Sequence, residues 1–159
     1  MIRRMLEQRK RVEIRWRDLD GFGHVNNAVF LTYLEECRDE FLRRHLRDPP
    51  ERGEYMLVRV AIDYRSQITM ADDFVEAEVG ITRVGRSSVT LGERIFAGPG
   101  RRLAAEVEAV VVRYDWETGA ARPIDAPLAA ALAASTAETP AQAASAAASG
   151  ESPSARPSE

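Results

Sequence analysis

The sequence predicts an α+β fold in which one long helix is wrapped by a curved antiparallel sheet of about five strands. Three observations lead there. One stretch, between about residues 27 and 46, carries apolar residues at helical spacing. Five other segments alternate apolar and polar residues with a period of two. Two links among the last four of these, 83–86 and 97–101, are too short for a crossover, which implies antiparallel neighbours. A single helix apolar on two stripes needs cover on more than one side, which a long curved sheet can give.

The first strand is expected over 11–17, where Val12, Ile14 and Trp16 alternate with Glu13 and Arg15. Residues 18–27 follow, dense in Gly, Asp and Asn, and read as a turn into a helix start. In the helix, Phe30, Leu34, Cys37 and Phe41 form a main apolar stripe, and Leu31, Leu42 and Leu46 a flanking one. The succession Asp48, Pro49, Pro50 forbids its continuation. Met56, Val58, Val60, Ile62 and Tyr64 mark the second strand, and Val75, Ala77, Val79 and Ile81 the third. Val89, Leu91 and Ile95 mark the fourth, and the β-branched run within 103–114 the fifth. Residues 83–86 and 97–101 read as hairpin turns. Leu128 and Leu132, four apart, suggest a short helix over 127–134.

With 159 residues the chain is expected to form one domain, 1–135. The remainder, 136–159, is an Ala/Ser/Pro-rich tail without aromatic residues, expected to be disordered. The single cysteine, Cys37, cannot form an internal bridge, which fits a reducing compartment. No segment approaches the roughly 20 apolar residues of a membrane span. The charged first ten residues lack the apolar run of a secretory signal, so a cytoplasmic protein is expected. The net charge of −3 argues against a general nucleic-acid binder. Lys10 is the only lysine, so the cations are almost all arginine.

The densest polar cluster runs from Asp18 through Leu19, Asp20, Gly21, Phe22, Gly23, His24, Val25 and Asn26 to Asn27. A calcium loop would need a glutamate at its twelfth position, and Val29 stands there. The cluster could simply cap the helix through Asn26 or Asn27, with glycine supplying positive φ. It could also serve carbonyl chemistry. Unpaired amides at a helix start stabilise charge developing on a carbonyl oxygen, each typically contributing about 3 kcal/mol. A carboxylate just upstream can attack that carbonyl or activate a water.

Residues 20–27 (Asp-Gly-Phe-Gly-His-Val-Asn-Asn), continuing through Tyr33, Leu34, Glu35, Glu36, Cys37 and Arg38, resemble the hotdog-fold thioesterases of the 4-hydroxybenzoyl-CoA type, nearest their long-chain acyl-CoA branch. The resemblance covers roughly 11–115 and implies a hotdog fold and hydrolysis of acyl-CoA thioesters without a cofactor or metal. It implies that Asp20 is the catalytic carboxylate and that the Asn27 amide polarises the thioester carbonyl. Gly23, His24 and Asn26 would complete the loop around the substrate. Residues 84–89 resemble the family's coenzyme A hairpin, which maps phosphate contacts onto Arg86, Ser87 and Ser88. It further implies homodimers that pair into tetramers, with the active site at the subunit interface.

Other residues read as lesser candidates. Glu35 or Glu36 could supply a helix carboxylate base, and His45 suits the dipole at the helix end as a cation. Cys37 reads as core, and Tyr114 and Trp116 as borders of an acyl pocket or simply the end of a strand. Arg83, Arg86, Arg101 and Arg102 could form a basic surface for an acyl carrier protein, an alternative substrate. A non-catalytic acyl-CoA-binding module is the other alternative. The two histidines and one cysteine do not make a zinc site.

Overall fold

The computed structural model describes residues 5–46 and 54–137. Its elements in order are β1 (Met5–Glu13), α1 (Asn27–His45), β2 (Tyr55–Tyr64), β3 (Phe74–Val84), β4 (Ser88–Ala97), β5 (Arg102–Asp115), β6 (Ala120–Ala121) and α2 (Ala126–Ala137). The sheet is antiparallel in the order β1-β3-β4-β5-β2, with the short β6 beside β5. It curls around α1 as expected of a hotdog fold.

The core is the concave face of the sheet against the main stripe of the helix. Val75, Val79, Ile81, Leu91 and Ile95 are fully buried opposite Phe30, Leu34, Cys37 and Phe41. Each such aliphatic side chain contributes roughly 1.5–3 kcal/mol by leaving water. The flanking stripe is used unevenly, with Leu46 buried, Leu42 packed against the core and Leu31 exposed. The helix lies chiefly over β1 and β3, with a lighter contact on β4. No residue of β2 is buried, and Leu57 and Val58 stand exposed. The alternation in β2 marks a face that is only partly covered: Val60 and Ile62 are half-buried against the core, and Tyr64 meets Phe30 of α1.

The first strand lies earlier than its alternation suggests. It ends at Glu13, and a single 3-10 turn spans Trp16–Asp18. The reason is Asp18, whose carboxylate accepts hydrogen bonds from the Arg15 backbone N–H (2.9 Å) and the Arg15 Nε. That local pairing competes with the ladder and breaks the strand. Trp16 is consequently exposed rather than part of an apolar face. The charged stretch before it, without periodicity, becomes strand because β3 supplies its backbone partners. Residues 48–50, and the tail from 138 onward, lie outside the described residues. No helix among the described residues is long and apolar enough to cross a membrane.

Candidate functional site

The loop between β1 and α1 is built around two aspartates with different tasks. Asp18 is buried and accepts from the hydroxyl of fully buried Tyr33 at 2.8 Å, which ties the loop to the second turn of α1. Burial alone would push the Asp18 carboxyl up. The Arg15 guanidinium and backbone N–H, joined by the Tyr33 hydroxyl, outweigh it and hold the group below its ordinary value. Its backbone carbonyl also accepts from Asn26 N–H at 2.9 Å.

Asp20 is half-buried at the base of a tight turn. Its N–H donates to the His24 carbonyl at 2.7 Å, and its carbonyl accepts from Gly23 N–H at 3.1 Å. Gly23 has φ +78°, a left-handed conformation that favours glycine. The carboxylate oxygen Oδ1 accepts from the N–H groups of Phe22 (2.8 Å) and His24 (3.2 Å). Oδ2 has no protein donor among the described residues. One oxygen is thus fixed by the turn, and the other is free of it.

Val25 N–H donates to the Ile68 carbonyl, and His24 bridges Thr69, so the loop is sewn to the segment after β2. Asn26 is the helix N-cap, its Oδ1 accepting from Ala28 N–H at 2.9 Å. Asn27 is the first helical residue, and its N–H meets no acceptor among the described residues. That is the orphan amide a helix start is expected to offer. The Tyr64 hydroxyl donates to the Asn27 carbonyl at 3.1 Å, and its ring meets Phe30 edge-on at 5.1 Å.

These groups line one open cleft of about 340 Å³. Asp20, His24 and Val25 come from the loop, Asn27 and Phe30 from the helix, and Tyr64, Arg65, Ser66 and Gln67 from the end of β2. A free carboxylate oxygen and a helix-start amide on one cleft can perform acyl transfer, with the amide stabilising charge on a carbonyl oxygen.

Arg86, Ser87 and Ser88 are elsewhere. They sit in the β3–β4 turn, at the far end of the sheet. Tyr64, beside the cleft, pairs with Ala105, whereas Ser88 pairs with Val112. Residues 105 and 112 of one strand are seven apart, or about 23 Å at the usual rise. Arg86 is exposed, and Ser87 and Ser88 are half-buried. Tyr114 and Trp116, in edge-on contact at 5.0 Å, are at this far end too and do not border the cleft.

The basic surface expected from Arg83, Arg86, Arg101 and Arg102 does not exist as one patch. Arg101 and Arg102 lie at the other turn, where Arg101 pairs with Glu76 and Glu78. Arg102 binds Asp72, Ser66 Oγ and the Gln67 carbonyl, and so braces a wall of the cleft. Glu35 and Glu36 are exposed and outside the cleft lining, and Glu36 pairs with Lys10 at 2.9 Å. Burial pushes the Cys37 thiol up to about 12, aided by the charges of Glu93 and Glu40, which rules out a ready nucleophile. His45 packs on Phe41, and burial with the adjacent Arg44 lowers its pKa. It lies in the last turn of α1, where its ring packs on the core while its position suits the helix dipole. Tyr33 carried a signal only as part of the motif run at 33–38, with no role attached, and Tyr64 only as part of the alternation of the second strand.

A family model described as the thioesterase-like superfamily matches residues 14–132. A solved thioesterase of Thermus thermophilus, complexed with coenzyme A and Zn, is 34% identical, covers 76% of this chain and 93% of its own, and superposes with a TM-score of 0.68. A 1,4-dihydroxy-2-naphthoyl-CoA thioesterase from Synechocystis shares the fold, with a TM-score of 0.66 at 17% identity over 80% of this chain and 96% of that one. The chloroplastic acyl-acyl carrier protein thioesterase ATL3 of Arabidopsis thaliana is 28% identical over 122 residues, 73% of this chain. The chain spans 62% of that relative's length.

Proposed function

Because the chain belongs to the thioesterase-like superfamily, and is by family a hotdog-fold thioesterase, we propose that it hydrolyses acyl-CoA thioesters to a free acid and coenzyme A, with Asp20 as the catalytic carboxylate. The observation that carries this reading is the division of labour at Asp20. Oδ1 is held by two backbone amides, Oδ2 has no protein donor among the described residues, and Asp20 lines the same cleft as Asn27, the first residue of the helix. The thioester carbonyl oxygen would accept from Asn27 N–H. Oδ2 would either attack the carbonyl carbon or take a proton from the attacking water, and the C–S bond breaks with coenzyme A leaving as its thiolate. After direct attack, water hydrolyses the resulting acyl–Asp20 anhydride to the free acid and restores the carboxylate.

Gly23 and Asn26 shape this pocket, and His24 orients the loop through its backbone. Arg86, Ser87 and Ser88 bind the coenzyme phosphates through charge-assisted hydrogen bonds. The 23 Å or so between hairpin and cleft along β5 supports a site assembled from two chains of a homodimer, with dimers pairing further into tetramers. The exposed apolar side chains of β2, Leu57 and Val58, support the same assembly. The cytoplasm is the compartment this reading assigns.

Release of free thiol from a panel of acyl-CoAs, by native protein and by Asp20→Asn, tests the proposal. Turnover should fall at least about a hundredfold in the variant with the fold intact. Unchanged turnover would remove Asp20 from the chemistry. Turnover on acyl carrier protein but on no CoA ester would overturn the substrate assignment.

A further inference from the structure

We infer that Arg113 is a positioning residue for the phosphate-binding hairpin, holding it through the chain segment that follows β6; this rests on the reading of Arg86, Ser87 and Ser88 above. Both carbonyls at the tip of that turn are engaged from behind. The Arg86 carbonyl accepts from Ile124 N–H at 2.8 Å, and the Ser87 carbonyl from Arg113 N–H at 2.8 Å. Carbonyl oxygens facing outward would repel a phosphate. With these two tied down, the free side of the turn offers a guanidinium and hydroxyls instead.

The segment that supplies Ile124 is itself held by the Arg113 side chain, which is 2% exposed. Its Nη1 donates to the Pro123 carbonyl at 3.1 Å and pairs with the Asp125 carboxylate at 2.9 Å, while Nε donates to Glu54 at 3.1 Å. A further bond runs from Arg122 N–H to the Arg113 carbonyl. One guanidinium therefore grips the residues on either side of Ile124, and also the start of β2. Burying an arginine is a poor route to stability, because an apolar side chain of similar size would serve as well or better. What the planar fork supplies is fixed geometry. The geometry fixed here is that of the strap behind the hairpin.

The test compares an acyl-CoA with the same acyl group on pantetheine, which lacks the coenzyme's nucleotide and its phosphates, in Arg113→Lys, Asp125→Asn and Arg86→Ala. The Asp125 side chain is half-exposed, so Asp125→Asn folds even where Arg113→Lys does not, and it then decides alone. Both strap variants should raise KM for the acyl-CoA about tenfold, with kcat within about twofold and KM for the pantetheine ester unchanged. A parallel rise of KM for both esters, a fall in kcat alone, or no change would overturn the inference. Arg86→Ala separates the two layers. If it raises KM for the CoA ester while the strap variants do not, the positioning claim fails and the hairpin reading stands. If Arg86→Ala leaves that KM unchanged, the hairpin reading itself fails and the inference falls with it.

Discussion

Tyr33 illustrates how much of the site is fixed by a residue that never meets the cleft. Its hydroxyl is one of the donors to the buried Asp18 carboxylate, two residues before Asp20. Replacing it by phenylalanine keeps the packing and removes one donor, which should cost about 1.5–3 kcal/mol in urea unfolding at neutral pH. The pH dependence has a definite sign. Because the folded Asp18 pKa lies below its ordinary value of 3.8, its ionised form stabilises the protein above that value. The contribution is lost as pH falls through the depressed folded pKa. The stability curves of native protein and Tyr33→Phe should therefore converge as the pH is lowered beneath about 4. Divergence in acid would show that the hydroxyl acts elsewhere. The sequence made Asp20 conspicuous through its glycines and the following asparagines. Asp18 and Tyr33 are legible only once the loop is seen folded back on the helix, since their pairing spans fifteen positions.

Between elements, a buried polar link joins Arg38 of α1 to Glu93 of β4, a bidentate pair at 2.6 and 2.8 Å with both side chains buried. It pins the helix over the sheet at a fixed register, and so sets where the Asn27 amide sits relative to the end of β2. Arg38→Met removes the bidentate partner of the buried Glu93 carboxylate and should cost about 3–5 kcal/mol in chemical denaturation. Changing Glu93→Leu as well should recover most of that loss, because two apolar residues then meet. If the double variant is as unstable as the single one, the pair is contributing more than mutual neutralisation. Element type was readable throughout from period, as in α1 and the alternating residues of β3. The start of β1 was not, because residues 5–10 have no alternation and owe their conformation to β3. The exposure of Leu57 and Val58 in β2 was equally illegible, since alternation reports an apolar face and not what lies over it.

For the whole molecule, the separation of cleft and hairpin makes a prediction about copies of the chain. Chains carrying Asp20→Asn and chains carrying Arg86→Ala, unfolded together and refolded, should regain activity when assayed below KM. In a random mixture half the dimers are hybrid and one of their two sites is native, giving about a quarter of native activity. No recovery over the unmixed variants would place the whole site in one chain.

The strand order carries a consequence for folding. Tyr64 reaches the helix only because β2 has been enrolled beside β5, the last long strand in the chain. That pairing closes long loops, which places the molecule among domains dominated by non-local contacts and correspondingly slow to form. A partly ordered chain with its helix intact but β2 unpaired would have no cleft at all. Enzymatic activity in this protein is therefore a reporter of global folding. Its loss in denaturant should follow the same transition as the far-ultraviolet signal, with no inactive but structured plateau between them.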